Sequence, residues 1–134
     1  MIEDDRGAVL HFFRSDSPDF TTFGEVYFSE VLPGAVKGWR RHRRQTQRYV
    51  VPTGRVRVAL YDDRDDSPTR GTRHAYELGR PDSYALLTIP PLIWYAFGTL
   101  GDRAALVANC ADIPHDPTES ESTPIDRGPI DYVW

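Results

Sequence analysis

The feature of this sequence that most constrains its fold is a succession of short β-type segments separated by turn residues. The segments are rich in β-branched and aromatic residues, the turns carry runs such as SDSPD, PTG and GRPDS, and no stretch keeps a helical period. The segments predicted as strands are Val9–Arg14, Glu25–Val31, Ala35–His42, Arg48–Val51, Arg55–Tyr61, His74–Leu78, Tyr84–Ile89, Ile93–Phe97 and Ala105–Asn109. Many short strands at close spacing predict an all-β sandwich or barrel rather than a parallel α/β sheet.

Length and composition narrow the class of protein further. A chain of 134 residues with 40% apolar residues is long enough for one domain with one core. The net charge of −4 argues against a nucleic-acid binder, which carries a strongly basic face. The longest apolar stretch, Tyr84–Phe97, is broken by Pro90 and Pro91, so no membrane span is expected. Cys110 is the one cysteine, which excludes an intrachain disulfide and favours a cytoplasmic location.

Two segments differ from the strands around them. Asp62–Thr72 is a charged run expected to form a hairpin loop. The stretch from Ala111 to Pro129 is rich in proline and serine, and the chain then ends on apolar residues up to Trp134. The sequence therefore predicts one domain, 1–134, with a C-terminal strap at about 111–134 lying over the barrel.

One spacing pattern resembles the first motif of the cupins, G-x5-H-x-H-x3,4-E-x6-G. The matching positions are Gly34, Arg40, His42, Gln47 and Gly54. The resemblance implies an all-β fold, the cupin antiparallel barrel, which is also described as a double-stranded β-helix or jelly roll.

Most of the metal-ligand positions of this motif carry unsuitable side chains. Arg40 cannot lose its proton to bind a cation, and Gln47 lacks the negative charge of a glutamate. The second cupin motif, P-x-G-x2-H-x3-N, would place its histidine at Tyr95. A first-row metal normally needs three or more nitrogen, oxygen or sulfur donors, and only His42 remains. The sequence predicts no metal and no cofactor in this pocket.

A family resemblance extends over nearly the whole chain in the same order. The segments that carry it are Asp4–Gly7, Phe23–Glu30, Pro33–Gly34, Val36–Trp39, Leu60–Arg64, Ile89–Pro91, Trp94, Tyr132 and Trp134. They resemble short relatives of dTDP-4-dehydrorhamnose 3,5-epimerase, and a weaker likeness to nucleotide-sugar 3,4-ketoisomerases rests on the IPP-x-x-W segment. The resemblance implies a metal-free barrel, commonly a homodimer, that acts on a dTDP-linked 4-keto-6-deoxy sugar.

The resemblance also assigns positions within the chain. Lys37 matches the family's phosphate-binding cation, while the family's catalytic histidine falls at Arg40 and a second family histidine at Tyr95. The tyrosine that serves the family as general acid falls at His115, and Asp126 corresponds to the carboxylate that supports the base. Standard 3,5-epimerase chemistry would therefore need substitutes at the changed positions.

Enolisation beside a ketone requires a base, a partner for the enolate oxygen and an acid. The prediction gives these roles to His42 as base, to Arg40 at the enolate oxygen, and to Tyr95 or His115 as acid, because residues 40 and 42 of a strand share a face. The residues predicted to bind substrate are Lys37, Arg44, Gln47, Tyr49, Trp94 and Arg6.

Less specific interpretations stay open beside this one. His42 can equally be a structural polar residue, and His115 a surface-loop histidine. At the level of the whole protein, the leading hypothesis is a metal-independent epimerase or isomerase of a dTDP-4-keto-6-deoxyhexose, in deoxysugar or natural-product biosynthesis. The alternatives are a catalytically degenerate cupin that binds a ligand or partner, and a barrel recruited to another reaction, such as a cyclisation of a non-sugar metabolite.

Overall fold

The computed structural model describes residues 1–126 and Trp134, and within these residues every regular element is a β-strand. The strands are β1 (Ile2–Asp4), β2 (Gly7–Val9), β3 (Glu25–Val31), β4 (Val36–His42), β5 (Gln47–Thr53), β6 (Arg55–Asp62), β7 (Arg73–Gly79), β8 (Leu87–Ile89), β9 (Ile93–Thr99), β10 (Ala105–Ala111) and β11 (Ser120–Ser122). The all-β prediction is confirmed. No helix in the described residues has the length and hydropathy of a membrane span.

Two antiparallel sheets hold the core between them. One sheet has the order β3-β10-β5-β8 and the other the order β11-β4-β9-β6-β7, while β1 and β2 form a separate hairpin. Apolar side chains from both sheets, such as Val58 and Val107, pack in one buried cluster. The ring of Tyr49 meets Tyr95 and Phe97 edge to face at 5.9 and 5.7 Å, which joins the two sheets directly. This two-sheet jelly roll confirms the predicted cupin barrel.

The predicted strands agree best with the structure where every residue pairs with a neighbouring strand. Glu25–Val31 is a strand over its full predicted length. The predicted strand Val9–Arg14 is wrong, because β2 ends at Val9 and the following residues pair with no neighbour. Phe13 in that stretch instead packs under the guanidinium of Arg48, which lies 4.3 Å from its ring centre. Its apolar character therefore reflects side-chain packing rather than strand pairing.

Strand β4 contains a β-bulge that determines which of its side chains share a face. Gly38 pairs with Ala96 and Arg40 with Tyr95, so Trp39 is an extra residue in the ladder. The Trp39 side chain is buried with Trp94 and Ala96 in a second core cluster. The bulge interrupts the two-residue period, and Lys37 and Arg40 consequently line the same cavity.

The segment after β10 returns to the sheet edge. Ser120–Ser122 forms β11, which pairs with the last three residues of β4, Ser120 opposite His42 and Ser122 opposite Arg40. The ring of Trp134 lies 6.3 Å from that of Trp39. Residues 127–133 of the predicted strap lie outside the described residues.

Candidate functional site

A cavity of about 300 Å³ opens between the two sheets. Its polar lining comes from both of them: Tyr27, Ser29 and Tyr49 from one sheet, and Lys37, Arg40 and Tyr95 from the other. Asn109 on β10, in the same sheet as Tyr27, adds a side-chain amide to the lining. The cavity is therefore formed by strands that are far apart in the sequence and adjacent in the fold.

A chain of hydrogen bonds reaches this cavity from the buried side of β4. The Oε1 atom of Glu119 contacts Nδ1 of His42, and its Oε2 atom accepts from the backbone amides of Arg44 and Gln45 at 3.0 and 3.2 Å. Burial alone would raise the pKa of Glu119, but the hydrogen bonds from His42 and the two amides outweigh it and hold that pKa below its ordinary value. The carboxylate is therefore ionised at neutral pH and accepts the Nδ1 proton.

The other nitrogen of His42 meets a tyrosine. Nε2 lies 2.9 Å from the hydroxyl oxygen of Tyr95, and the two rings are stacked with their planes 5° apart. Because Nδ1 donates to Glu119, Nε2 of a neutral His42 is an acceptor, and the Tyr95 hydroxyl donates to it. The geometry makes Glu119 and His42 a carboxylate–histidine dyad that can accept the Tyr95 proton.

A second set of hydrogen bonds approaches Tyr95 from the opposite sheet. The backbone amide of Arg48 donates to Oδ1 of Asn109 at 3.0 Å, which fixes the orientation of the Asn109 amide. Its Nδ2 atom then donates to Oε1 of Gln47 and, at 3.0 Å, to the hydroxyl oxygen of Tyr27. Gln47, oriented in turn, donates from Nε2 to the Tyr95 hydroxyl at 2.7 Å. Donor and acceptor are therefore assigned for every hydrogen bond from the Arg48 amide to the Tyr95 hydroxyl.

The protonation of the tyrosines follows from their surroundings. Burial raises the pKa of Tyr95 well above its ordinary value, and burial likewise raises the pKa of Tyr49. The guanidinium of Arg40 opposes both increases without cancelling them. Both residues are therefore neutral phenols at rest, capable of donating and accepting hydrogen bonds.

Two cations share one wall of the cavity with Tyr95. The Nζ atom of Lys37 donates to the hydroxyl of Ser29 at 2.9 Å, and the exposed Arg40 lies on the same strand. Within the described residues no group of three or more histidine, cysteine, aspartate or glutamate side chains is placed to hold a metal ion. Hydroxyls, an amide and two cations suit an anionic ligand.

The structure brings some of the predicted site residues together. Lys37, Arg40, Tyr49 and Tyr95 all line the cavity. His42 and Gln47 are buried and bond to the Tyr95 hydroxyl from behind it. In this arrangement a ligand in the cavity meets Tyr95 first, and His42 through it.

The other predicted site residues lie away from this cavity. Arg6 pairs with Asp4 in the β1–β2 hairpin at 2.6 Å, and Arg44 pairs with Asp116 at 3.5 Å. The indole of Trp94 belongs to the second core cluster, where Nε1 donates to Asp63 at 3.0 Å. His115 and Asp126 are exposed on the segment that follows β10.

The sequence analysis missed three residues of the network, Glu119, Tyr27 and Asn109. Glu119 lies 77 positions from His42 along the chain, in a segment with little strand character. Tyr27 stands in a predicted strand whose neighbours are also aromatic or apolar, so nothing in the local pattern distinguishes it. A spacing motif cannot detect contacts that only the antiparallel pairing creates.

The two-sheet barrel, with an acid–base network beside a cationic wall, defines a cupin of the epimerase and isomerase class. No established family profile matches the chain. It is 35% identical to the Probable low-salt glycan biosynthesis epimerase Agl13 of Haloferax volcanii, over 98% of this chain and 86% of that protein. The chain belongs to the family of cupin epimerases related to dTDP-4-dehydrorhamnose 3,5-epimerase, which confirms the family resemblance.

Solved structures agree with this assignment. A dTDP sugar isomerase from Desulfovibrio desulfuricans has a TM-score of 0.91 and 56% identity, with 94% of this chain and 80% of that chain covered. The dTDP-4-dehydrorhamnose 3,5-epimerase of Sulfolobus tokodaii has a TM-score of 0.80 and 25% identity, with 95% and 76% covered.

Proposed function

We propose that this protein is a metal-independent epimerase or isomerase of a dTDP-4-keto-6-deoxyhexose, in deoxysugar or natural-product biosynthesis. The observation that carries the proposal is the hydrogen-bonded chain Glu119–His42–Tyr95, which ends at a cavity with Lys37 and Arg40 on the same wall. The solved relative with 56% identity is described as a dTDP sugar isomerase, which supports the same substrate class.

Proton removal would begin at Tyr95. The proton of the carbon beside the ketone passes to the Tyr95 oxygen while the hydroxyl proton of Tyr95 moves to Nε2 of His42, which lies 2.9 Å away. The imidazolium that forms is stabilised by the ionised Glu119. In this scheme Tyr95 is the group that touches the substrate, and His42 with Glu119 supplies the basicity that a neutral phenol lacks.

The two cations would have separate roles. Arg40 lies close enough to Tyr95 to influence its pKa, so its charge can also stabilise the enolate oxygen that forms beside it. Lys37, three residues earlier in the chain and on the same cavity wall, would hold a phosphate oxygen of the nucleotide. The β-bulge at Trp39 is what allows both cations to reach one ligand.

Isotope exchange tests this function. The protein is incubated with dTDP-4-keto-6-deoxyglucose in heavy water, and deuterium in the sugar is followed by mass spectrometry and NMR. Wild-type protein should introduce deuterium at a carbon beside the ketone, and Tyr95→Phe should lose at least about 100-fold in rate, the usual contribution of an acid–base group. Tyr76→Phe, on the exposed face of β7, is the matched control and should keep full activity. Exchange by the wild type no faster than without protein would exclude the proposed function.

The proposal extends to assembly and location. The exposed apolar side chains of β3 include Val26 and Phe28, on an edge strand that pairs on one side with β10. Such an edge is a suitable contact for a second copy of the chain, and we propose a homodimer formed there. A protein with one buried cysteine and a nucleotide-sugar substrate fits the cytoplasm.

A further inference from the structure

The cavity presents two tyrosine hydroxyls from opposite sheets. Tyr95 lies on β9 of one sheet and Tyr27 on β3 of the other, and both line the cavity. The two are connected through Asn109 and Gln47 in one hydrogen-bond network. A flat sugar enolate held between the sheets would therefore have one hydroxyl on each side.

The direction of each hydrogen bond distinguishes the two hydroxyls. The anchors are the Arg48 backbone amide, which can only donate, and the Glu119 carboxylate, which can only accept. Between these anchors the proton of Tyr95 is directed to His42, so its oxygen can take a proton from a substrate that displaces the Tyr49 hydroxyl bonded to it.

Tyr27 has the opposite arrangement. Its oxygen accepts from Nδ2 of Asn109 at 3.0 Å, and the described residues offer no acceptor for its proton. The Tyr27 hydroxyl is therefore able to donate into the cavity, and the Asn109 amide would stabilise the phenolate that remains after donation. Because Tyr27 is 39% exposed, water can restore the lost proton.

We infer that Tyr27 is the general acid of this site, delivering a proton to the face of the enolate opposite Tyr95, so that the reaction inverts one carbon. The inference rests on the proposed function and makes it more specific. The carbon–hydrogen bond breaks toward Tyr95, whose own proton passes to His42, and the electron pair forms the enolate. The new carbon–hydrogen bond then forms with the hydroxyl proton of Tyr27, and solvent reprotonates the phenolate and removes the proton from His42.

Tyr49 is the competing donor, since it also lines the cavity. Its ring meets Tyr95 edge to face at 5.9 Å. Tyr49 lies on the same sheet as Tyr27, but its hydroxyl is hydrogen-bonded to that of Tyr95, so the Tyr49 proton is directed to the Tyr95 oxygen rather than into the cavity. The inference therefore predicts different behaviour for Tyr27→Phe and Tyr49→Phe.

The test compares inversion with exchange in heavy water, using dTDP-4-keto-6-deoxyglucose. Tyr27→Phe should form inverted product at least about 100-fold more slowly than wild type while still exchanging deuterium into recovered substrate through Tyr95. Tyr95→Phe should lose both reactions, and Tyr49→Phe should invert at least about tenfold faster than Tyr27→Phe. Thermal shifts with dTDP confirm that each variant folds and binds nucleotide.

Three outcomes would overturn the role of Tyr27. They are inversion by Tyr27→Phe within threefold of wild type, loss of both inversion and exchange in that variant despite a normal dTDP shift, and a wild-type product in which the ketone has moved without inversion. In all three outcomes the wild type is still active on the substrate, so the proposed function survives. Only an inactive wild type would exclude both the role of Tyr27 and the proposed function.

Discussion

Each proton position around Tyr95 is determined by a neighbouring residue. Glu119 is the clearest case, because its two oxygens serve different partners, one the imidazole of His42 and the other the backbone amides of Arg44 and Gln45. A carboxylate can accept from both sides at once, whereas an amide cannot. The tautomer of His42 therefore depends on the charge at position 119.

Replacing this carboxylate by an amide should reverse the tautomer. In Glu119→Gln the side-chain oxygen is needed by the amides of Arg44 and Gln45, which leaves the NH2 group facing Nδ1 of His42. Nδ1 then becomes an acceptor and Nε2 carries the proton, so His42 can no longer accept from Tyr95. We expect kcat to fall about 100-fold or more with little change in KM, measured by steady-state kinetics.

The control for this variant lies two residues further along the chain. Glu121 pairs with Arg41 and Arg43 outside the network, so Glu121→Gln should keep kcat within about twofold. Nitrogen-15 NMR of the His42 ring reports the tautomer directly, and a purely structural role of Glu119 would leave it unchanged. A Glu119→Gln protein with wild-type kcat would show that His42 takes no part in proton transfer.

At the scale of elements, β4 shows what the sequence could and could not predict. The repeated turn signals and the valines of Arg55–Leu60 predicted the sheets well, because burial on one face imposes a two-residue period. The bulge at Trp39 has no such period, and it changes which residues share a face. Lys37 and Arg40 are an odd number apart, and a regular strand would separate them.

The bulge depends on a close approach of β4 to β9. Gly38 has φ +139°, and a Cβ atom there would lie 2.5 Å from the Cβ of Ala96. We expect Gly38→Ala to reduce the free energy of unfolding by about 2–4 kcal/mol, the range of overpacking combined with backbone strain, measured by urea denaturation. Equal urea midpoints for the variant and the wild type would contradict this packing.

A second glycine serves as the control that separates overpacking from backbone strain. Gly7 has a similar φ of +144°, but a Cβ atom there would meet nothing within 4 Å. Gly7→Ala should therefore cost only the backbone strain, about 1–2 kcal/mol. Equal losses at both positions would mean that the contact with Ala96 contributes nothing.

At the scale of the whole molecule, the site exists only after the sheets close on one another. Tyr27, Tyr49 and Asn109 reach the cavity from one sheet, and Arg40 and Tyr95 from the other. Family resemblance located Arg40 and Tyr95, because these positions keep their spacing. It could not locate Glu119, whose contact with His42 arises from the return of the chain to β4 in β11.

The outer face of β3 should be covered by a second molecule. Tyr27 and Ser29 point into the cavity, whereas Val26 and Phe28 alternate with them and stay 44% and 62% exposed. Apolar side chains on an edge strand are costly in water, and pairing two such edges would remove them from it. We expect the wild type to sediment as a dimer in analytical ultracentrifugation and Phe28→Asp as a monomer, because each interface would then bury two carboxylates without partners. Tyr76→Asp, on the edge strand of the other sheet and 44% exposed, carries the same charge and should remain a dimer. A monomeric wild type at tens of micromolar, or a dimeric Phe28→Asp, would place the contact elsewhere or exclude it.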